Sequence, residues 1–138
     1  MSHPIKVILA EDDADDRDFL QDFLQDRRDL KLLCPAENGV ALMQLLDNIT
    51  QESHLPDAII LDQNMPKRNG LQTLGLLKAT ARYAHIPVLV YSTYTDDRLV
   101  QGCMQAGAAL VLPKPSDKAG YNAMIDAFLA TLLPNSSL

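Results

Sequence analysis

Apolar runs of strand length alternate five times with segments of helical period along the chain. The strand candidates are Ile5–Ala10, Leu30–Pro35, Ala58–Asp62, Pro87–Ser92 and Ala108–Leu112. All but the second are continuous apolar runs rather than alternations, the pattern of strands buried on both faces of a parallel sheet. The first helical segment carries Phe19, Leu20, Phe23 and Leu24 on one face of a 3.6-residue helix. A second runs from about Val40 to Ile49 with Leu42, Met43, Leu45, Leu46 and Ile49, and a third from about Leu71 to Ala81 with Leu71, Leu74 and Leu77. The fourth, Asp96 to Ala106, presents Leu99, Val100, Cys103 and Met104 before Gly107, a natural C-terminal stop. The last, Ala119 to Leu133, shows Met124, Ile125, Phe128, Leu129, Leu132 and Leu133, with Pro134 ending it.

Strictly alternating strands and helices predict a parallel sheet with helices on both faces, because crossovers between parallel strands are right-handed. The expected fold is therefore α/β, a doubly wound (βα)₅ domain spanning residues 1–138. No linker or repeat interrupts it, and the short segment after Pro134 leaves no room for an output domain.

Composition narrows the function. The chain is 47% apolar and 22% charged with a net charge of −6, and it has no basic stripe for nucleic acid. No apolar run approaches the roughly 20 residues of a membrane span, and Met1–Lys6 carries no signal-peptide core, so a cytoplasmic location is expected. Cys34 and Cys103 lie in apolar-patterned segments and are expected as reduced, buried thiols. His3, His54 and His85 sit alone and do not form a metal site.

In open parallel sheets, ligands sit beyond the carboxyl ends of the strands. Strand one ends in Glu11–Asp12–Asp13, strand three in Asp62, strand four in Ser92, and strand five leads to Lys114. Taken singly, each has a bland alternative. Acidic residues favour a helix start, Ser92 can simply end a strand, and Lys114 can be an exposed loop lysine. Asp13, Asp15 and Asp16 are expected to start the first helix and line its solvent side, with Asp13 able to assist at a metal through water, so replacing Asp16 should change little. Asp62 differs, because a carboxylate closing an apolar run is unfavourable without a partner. Jointly the set reads as a hard-cation site beside a nucleophilic carboxylate. Mg²⁺ takes oxygen ligands from one or two carboxylates, waters and phosphate oxygens. Asp12 and Asp62 would supply the carboxylates, Asp62 would attack a phosphorus atom, and Ser92 and Lys114 would hold phosphoryl oxygens.

The stretches VILAEDD, IILDQNMPKRNG, PVLVYST and GAALVLPKP, in that order and spacing, resemble the receiver domain of two-component response regulators over essentially the whole chain. The resemblance implies the flavodoxin-like strand order 2-1-3-4-5. It implies Asp62 as phosphoacceptor, Asp12 as direct Mg²⁺ ligand, Glu11 acting through water, and Asn64 lending its backbone carbonyl to the metal. Ser92 would be the switch hydroxyl and Lys114 the site lysine, with a cis Lys114–Pro115 bond aiming its ammonium. Implied partners are a sensor histidine kinase or histidine phosphotransfer protein, and a downstream protein target. A homodimer through helix four, strand five and helix five is a further possibility, with Met124, Leu132 and Leu133 as candidate contacts. The GLQTL and RYAHIPV segments are similar to those of stand-alone receivers encoded beside sensor kinases, phytochrome-type ones included. One departure stands out. The family places an aromatic three residues before the lysine, where this chain has Val111; Tyr91 and Tyr94, flanking Ser92, are the candidates to replace it.

Two other classes remain open on sequence grounds. One is a pseudo-receiver that binds partners without phosphorylation. The other is a Mg²⁺-dependent phosphohydrolase, which would need a second acid–base carboxylate where Asn64 stands. The expected chemistry otherwise is self-phosphorylation and self-dephosphorylation rather than turnover of an external substrate.

Overall fold

The computed structural model describes residues 3–132. Five strands and five helices alternate as β1 (Ile5–Ala10), α1 (Ala14–Leu24), β2 (Leu30–Leu32), α2 (Gly39–Asp47), β3 (Ala58–Asp62), α3 (Gly70–Ala79), β4 (Val88–Ser92), α4 (Asp97–Gln105), β5 (Leu110–Pro113) and α5 (Lys118–Leu132). The strands form one parallel sheet in the order β2-β1-β3-β4-β5, as expected.

Because side chains alternate along a strand, the central strands feed two cores. Ile59 and Leu61 of β3 face one core with Leu42, Leu46, Leu74, Leu77 and Cys103, beneath α2, α3 and α4. Ala58 and Ile60 face the other with Leu20, Leu24, Tyr91, Tyr121, Ile125 and Phe128, beneath α1 and α5. Every residue of β3 and β4 is buried. β5 departs from the expectation of burial on both faces: as an edge strand it is only half covered.

Short polar residues start the helices by accepting orphan backbone N–H groups. Asp13, Asn38, Asn69 and Asp96 cap α1, α2, α3 and α4 in this way, and Asn69 forms a reciprocal capping box with Gln72. Gly107 ends α4 with φ +107°, the left-handed region that glycine enters without strain.

Several expectations are corrected. β2 is shorter than Leu30–Pro35, because its partner β1 continues past it and only Leu33 and Ala36 still donate to Val7 and Leu9. Phe19 is 45% exposed rather than core; it stacks on Phe23 at 5.7 Å between centroids. Leu45 and Met104 are also exposed, since each lies at the margin of its helix's apolar stripe. Of the two free cysteines, Cys103 is buried but Cys34, beyond the short β2, is exposed. Leu133 and Pro134 lie outside the described residues.

Candidate functional site

Chain direction brings the carboxyl ends of β1, β3, β4 and β5 to one rim, and the register places their end residues side by side. Asp62 pairs with Tyr91 and Ser92 with Pro113 across the sheet, and the Lys114 N–H donates to the Ser92 carbonyl at 2.8 Å. Glu11 leaves β1 with its N–H bonded to the Ala36 carbonyl and its side chain fully buried. Asp62 and Ser92 are buried as well, whereas Asp12 is exposed. One carboxylate oxygen each from Glu11, Asp12 and Asp62 lies within 4.8 Å of the others.

Three acidic groups this close repel unless cations or protons intervene. The nearest cation is Lys114, whose Nζ lies 3.0 Å from Glu11 Oε1, 2.9 Å from Asp16 Oδ2 and 3.7 Å from Asp62 Oδ1. Burial opposes the ammonium, but the hydrogen bonds to Asp16 and Glu11 and the fields of Glu11 and Asp62 outweigh it. Its pKa therefore rises above the ordinary lysine value. Asp62 moves the other way in charge. Burial first, then the hydrogen bond and charge of Glu11, lift its carboxyl well above the usual carboxylate range. The Asn64 N–H, 3.1 Å from Oδ1, and Lys114 offset this only in part. Ser92 Oγ donates to Asn64 Oδ1 at 2.9 Å and accepts from the Tyr94 N–H at 3.3 Å.

The rim thus gathers Glu11, Asp12, Asp62, Asn64, Ser92 and Lys114, all six residues singled out in the sequence. Two of the smaller expectations fail. No cis peptide occurs among the described residues, so Lys114–Pro115 is trans; the β4–β5 register alone delivers Lys114 to the site. Asp16 does not merely line the solvent side of α1, because it ion-pairs with Lys114. Its backbone N–H still completes the Asp13 cap, which leaves the carboxylate free to turn inward.

Tyr91, one of the two tyrosines flanking Ser92, is fully buried in β4, and its side chain reaches the site. Its hydroxyl donates to Glu11 Oε1 at 2.6 Å, and its ring face lies 5.0 Å from Lys114 Nζ. Burial and the neighbouring Glu11 charge raise its pKa, so it remains a phenol donor. Tyr94 is 73% exposed, and Val111 packs half-buried against the core beneath α4. Met124 is core rather than a surface contact, and Leu132 is half-buried against the same cluster.

The donor set suits a hard divalent cation. Carboxylate oxygens predominate, among the described residues no thiolate or imidazole joins them, and Asp12 is open to solvent. The raised Asp62 and the crowded Glu11 are an electrostatic surplus that such a cation would relieve.

Comparison with known proteins points the same way. A family model described as the response regulator receiver domain matches residues 7–126. The chain is 33% identical over 132 residues to response regulator Rre1 of Synechocystis sp., covering 94% of this chain and 54% of that protein. It is 25% identical to a protein-glutamate methylesterase/protein-glutamine glutaminase of Nocardioides sp., covering 94% of this chain and 34% of that protein. The chain therefore spans about half, or less, of the length of these curated relatives. Among solved structures, the Mn²⁺-bound form of response regulator Rcp1 superimposes with a TM-score of 0.77 at 25% identity, covering 98% of this chain and 99% of that one.

Proposed function

The chain belongs to the response regulator receiver domain family, and we propose that it accepts a phosphoryl group on Asp62 in a Mg²⁺-dependent reaction. Phosphorylation on an aspartate is the general function of receivers; the choice of Asp62 is what the site's geometry supports. The observation that carries it is a buried carboxylate closing β3, clustered with Glu11 and Asp12 and within 3.7 Å of a lysine ammonium on the same rim.

Asp62 attacks the phosphorus of a phosphohistidine or small phosphodonor. An O–P bond forms, the N–P or other leaving-group bond breaks, and the leaving group takes up a proton. Asp12, Asp62 and the Asn64 carbonyl would hold Mg²⁺, with Glu11 acting through water; when bound, the ion neutralises phosphoryl charge. Lys114 stabilises the phosphoryl oxygens electrostatically, and Ser92 Oγ donates to one of them in place of Asn64 Oδ1. That exchange of partners would link phosphorylation to the β4–α4 loop, where the exposed Tyr94, bonded through its N–H to Ser92, is the side chain able to respond.

On this reading the chain is a signalling module. Its donor is a sensor histidine kinase or histidine phosphotransfer protein, and its output is binding to a target protein or onward transfer of the phosphoryl group. The test uses a small phosphodonor with Mg²⁺, followed by intact mass. A base-labile gain of one phosphoryl group is expected, lost when the metal is chelated and absent in Asp62→Asn. No gain in the wild type, or an undiminished gain in Asp62→Asn, would overturn the assignment.

A further inference from the structure

The lysine of the site is held away from Asp62. Lys114 Nζ makes its shortest contact, 2.9 Å, with Asp16 on the first turn of α1, and lies 0.1 Å farther from Glu11, whereas Asp62 stands off at 3.7 Å. An ammonium has three donors, and two of them are committed to carboxylates other than the phosphoacceptor. The side chains involved are largely withdrawn from solvent, with 9% exposure at Lys114, 0% at Glu11 and 23% at Asp16. Contacts there are weakly screened. Tyr91 closes the floor, its ring beneath the ammonium and its hydroxyl on Glu11. Asp16 differs from Glu11 in having no second anchor. Its carboxylate makes no other hydrogen bond or ion pair among the described residues.

We infer that Asp16 is a positioning residue that parks the Lys114 ammonium in the unphosphorylated protein and competes with the phosphoryl group on Asp62 for that cation. The inference rests on the reading of Asp62 as phosphoacceptor. Phosphorylation then entails a transfer of Lys114 away from Asp16, and Asp16 sets how strongly the phosphorylated state is favoured. The hydroxyl of Tyr121 on α5 is the one buried side-chain polar atom among the described residues without a hydrogen-bond partner. Burial, and then the field of Asp16, push that phenol up to about 12, so it stands as a neutral donor within the influence of the carboxylate that Lys114 leaves.

The experiment measures affinity for beryllofluoride, a tetrahedral phosphoryl mimic that binds a carboxylate, at saturating Mg²⁺. Asp16→Asn removes the competing charge while keeping the side chain's shape. It is expected to tighten binding about tenfold, the scale of one charge-assisted hydrogen bond. Asp16→Glu should restore an affinity close to wild type. Asp15→Asn, the same charge change on an exposed neighbour, should leave it unaltered. In a Lys114→Met background the effect of Asp16→Asn should vanish, a coupling that a purely structural role would not produce. Thermal unfolding of each variant confirms that it is folded. Unchanged or weaker binding in Asp16→Asn, or equal tightening without Lys114, overturns the inference while leaving Asp62 as phosphoacceptor intact. A wild type that binds no beryllofluoride overturns the phosphoacceptor reading as well.

Discussion

Replacing Asp62 by asparagine keeps the side chain's size while removing a charge that burial and Glu11 both oppose. The folded protein holds the Asp62 proton more tightly than the unfolded chain, whose carboxylates titrate near pH ~3.9. Its protonated form therefore contributes stability that is complete below that pH and is lost as the pH rises through the elevated folded value. Metal-free wild type should lose stability across this window, and Asp62→Asn should flatten the loss. Near neutral pH, the metal-free variant should exceed wild type by about 1 kcal/mol, or roughly 3–5 °C in Tm. Thermal unfolding in chelator at several pH values checks this; a variant less stable than wild type at neutral pH would contradict it.

At the same scale lie the residues that the sequence concealed. Asp62, Ser92 and Lys114 were legible because each closes or follows an apolar run, and strand ends share a rim by chain direction alone. Asp16 was not, because its partner lies 98 positions away and the contact depends on how far two side chains reach. The Tyr91–Glu11 contact was hidden for a related reason. An apolar strand pattern records that a residue is inside, but not that the hydroxyl at its tip meets Glu11.

Among the elements, α3 is fastened directly to the site. A Cβ on Gly70, its first residue, would meet the Asp62 carbonyl at 2.8 Å and the Gln63 Cα at 2.9 Å, both backbone atoms that cannot swing aside. The Gly70 N–H also bonds the Gln63 carbonyl, and the Leu71 N–H bonds Gln63 Oε1. Gly70→Ala should therefore cost about 1–3 kcal/mol in urea unfolding, and it should slow phosphorylation because the displaced backbone carries Asp62. A neutral result in both measurements would mean that the helix start yields without moving the strand end. Helix and strand types were readable from period, and their ends less so. Pairing shortened β2 and shifted β5 toward Lys114, since a strand's limits are decided by the neighbour it bonds.

For the whole molecule, the doubly wound topology does two things at once. It divides the apolar residues between two cores, and it delivers the polar residues to one rim. That division was legible in the sequence, because continuous apolar strands leave few other arrangements. The surface beyond it was less so. With Met124 in the core, the expected dimer face loses one of its named contacts, and Tyr94 is the exposed large hydrophobic side chain beside Ser92. Net charge −6 and the acidic rim favour recruitment of a cation, the step on which the proposed acceptance of a phosphoryl group by Asp62 depends.

That acceptance has a direct test at the level of a single atom. After reaction with a small phosphodonor and Mg²⁺, borohydride reduces an aspartyl phosphate to homoserine, and peptide mass spectrometry locates it. The expected result is homoserine at position 62 alone, dependent on Mg²⁺. Homoserine arising elsewhere, as at Asp12, or none at position 62 despite incorporated phosphate, would contradict the assignment of Asp62 as the phosphoacceptor.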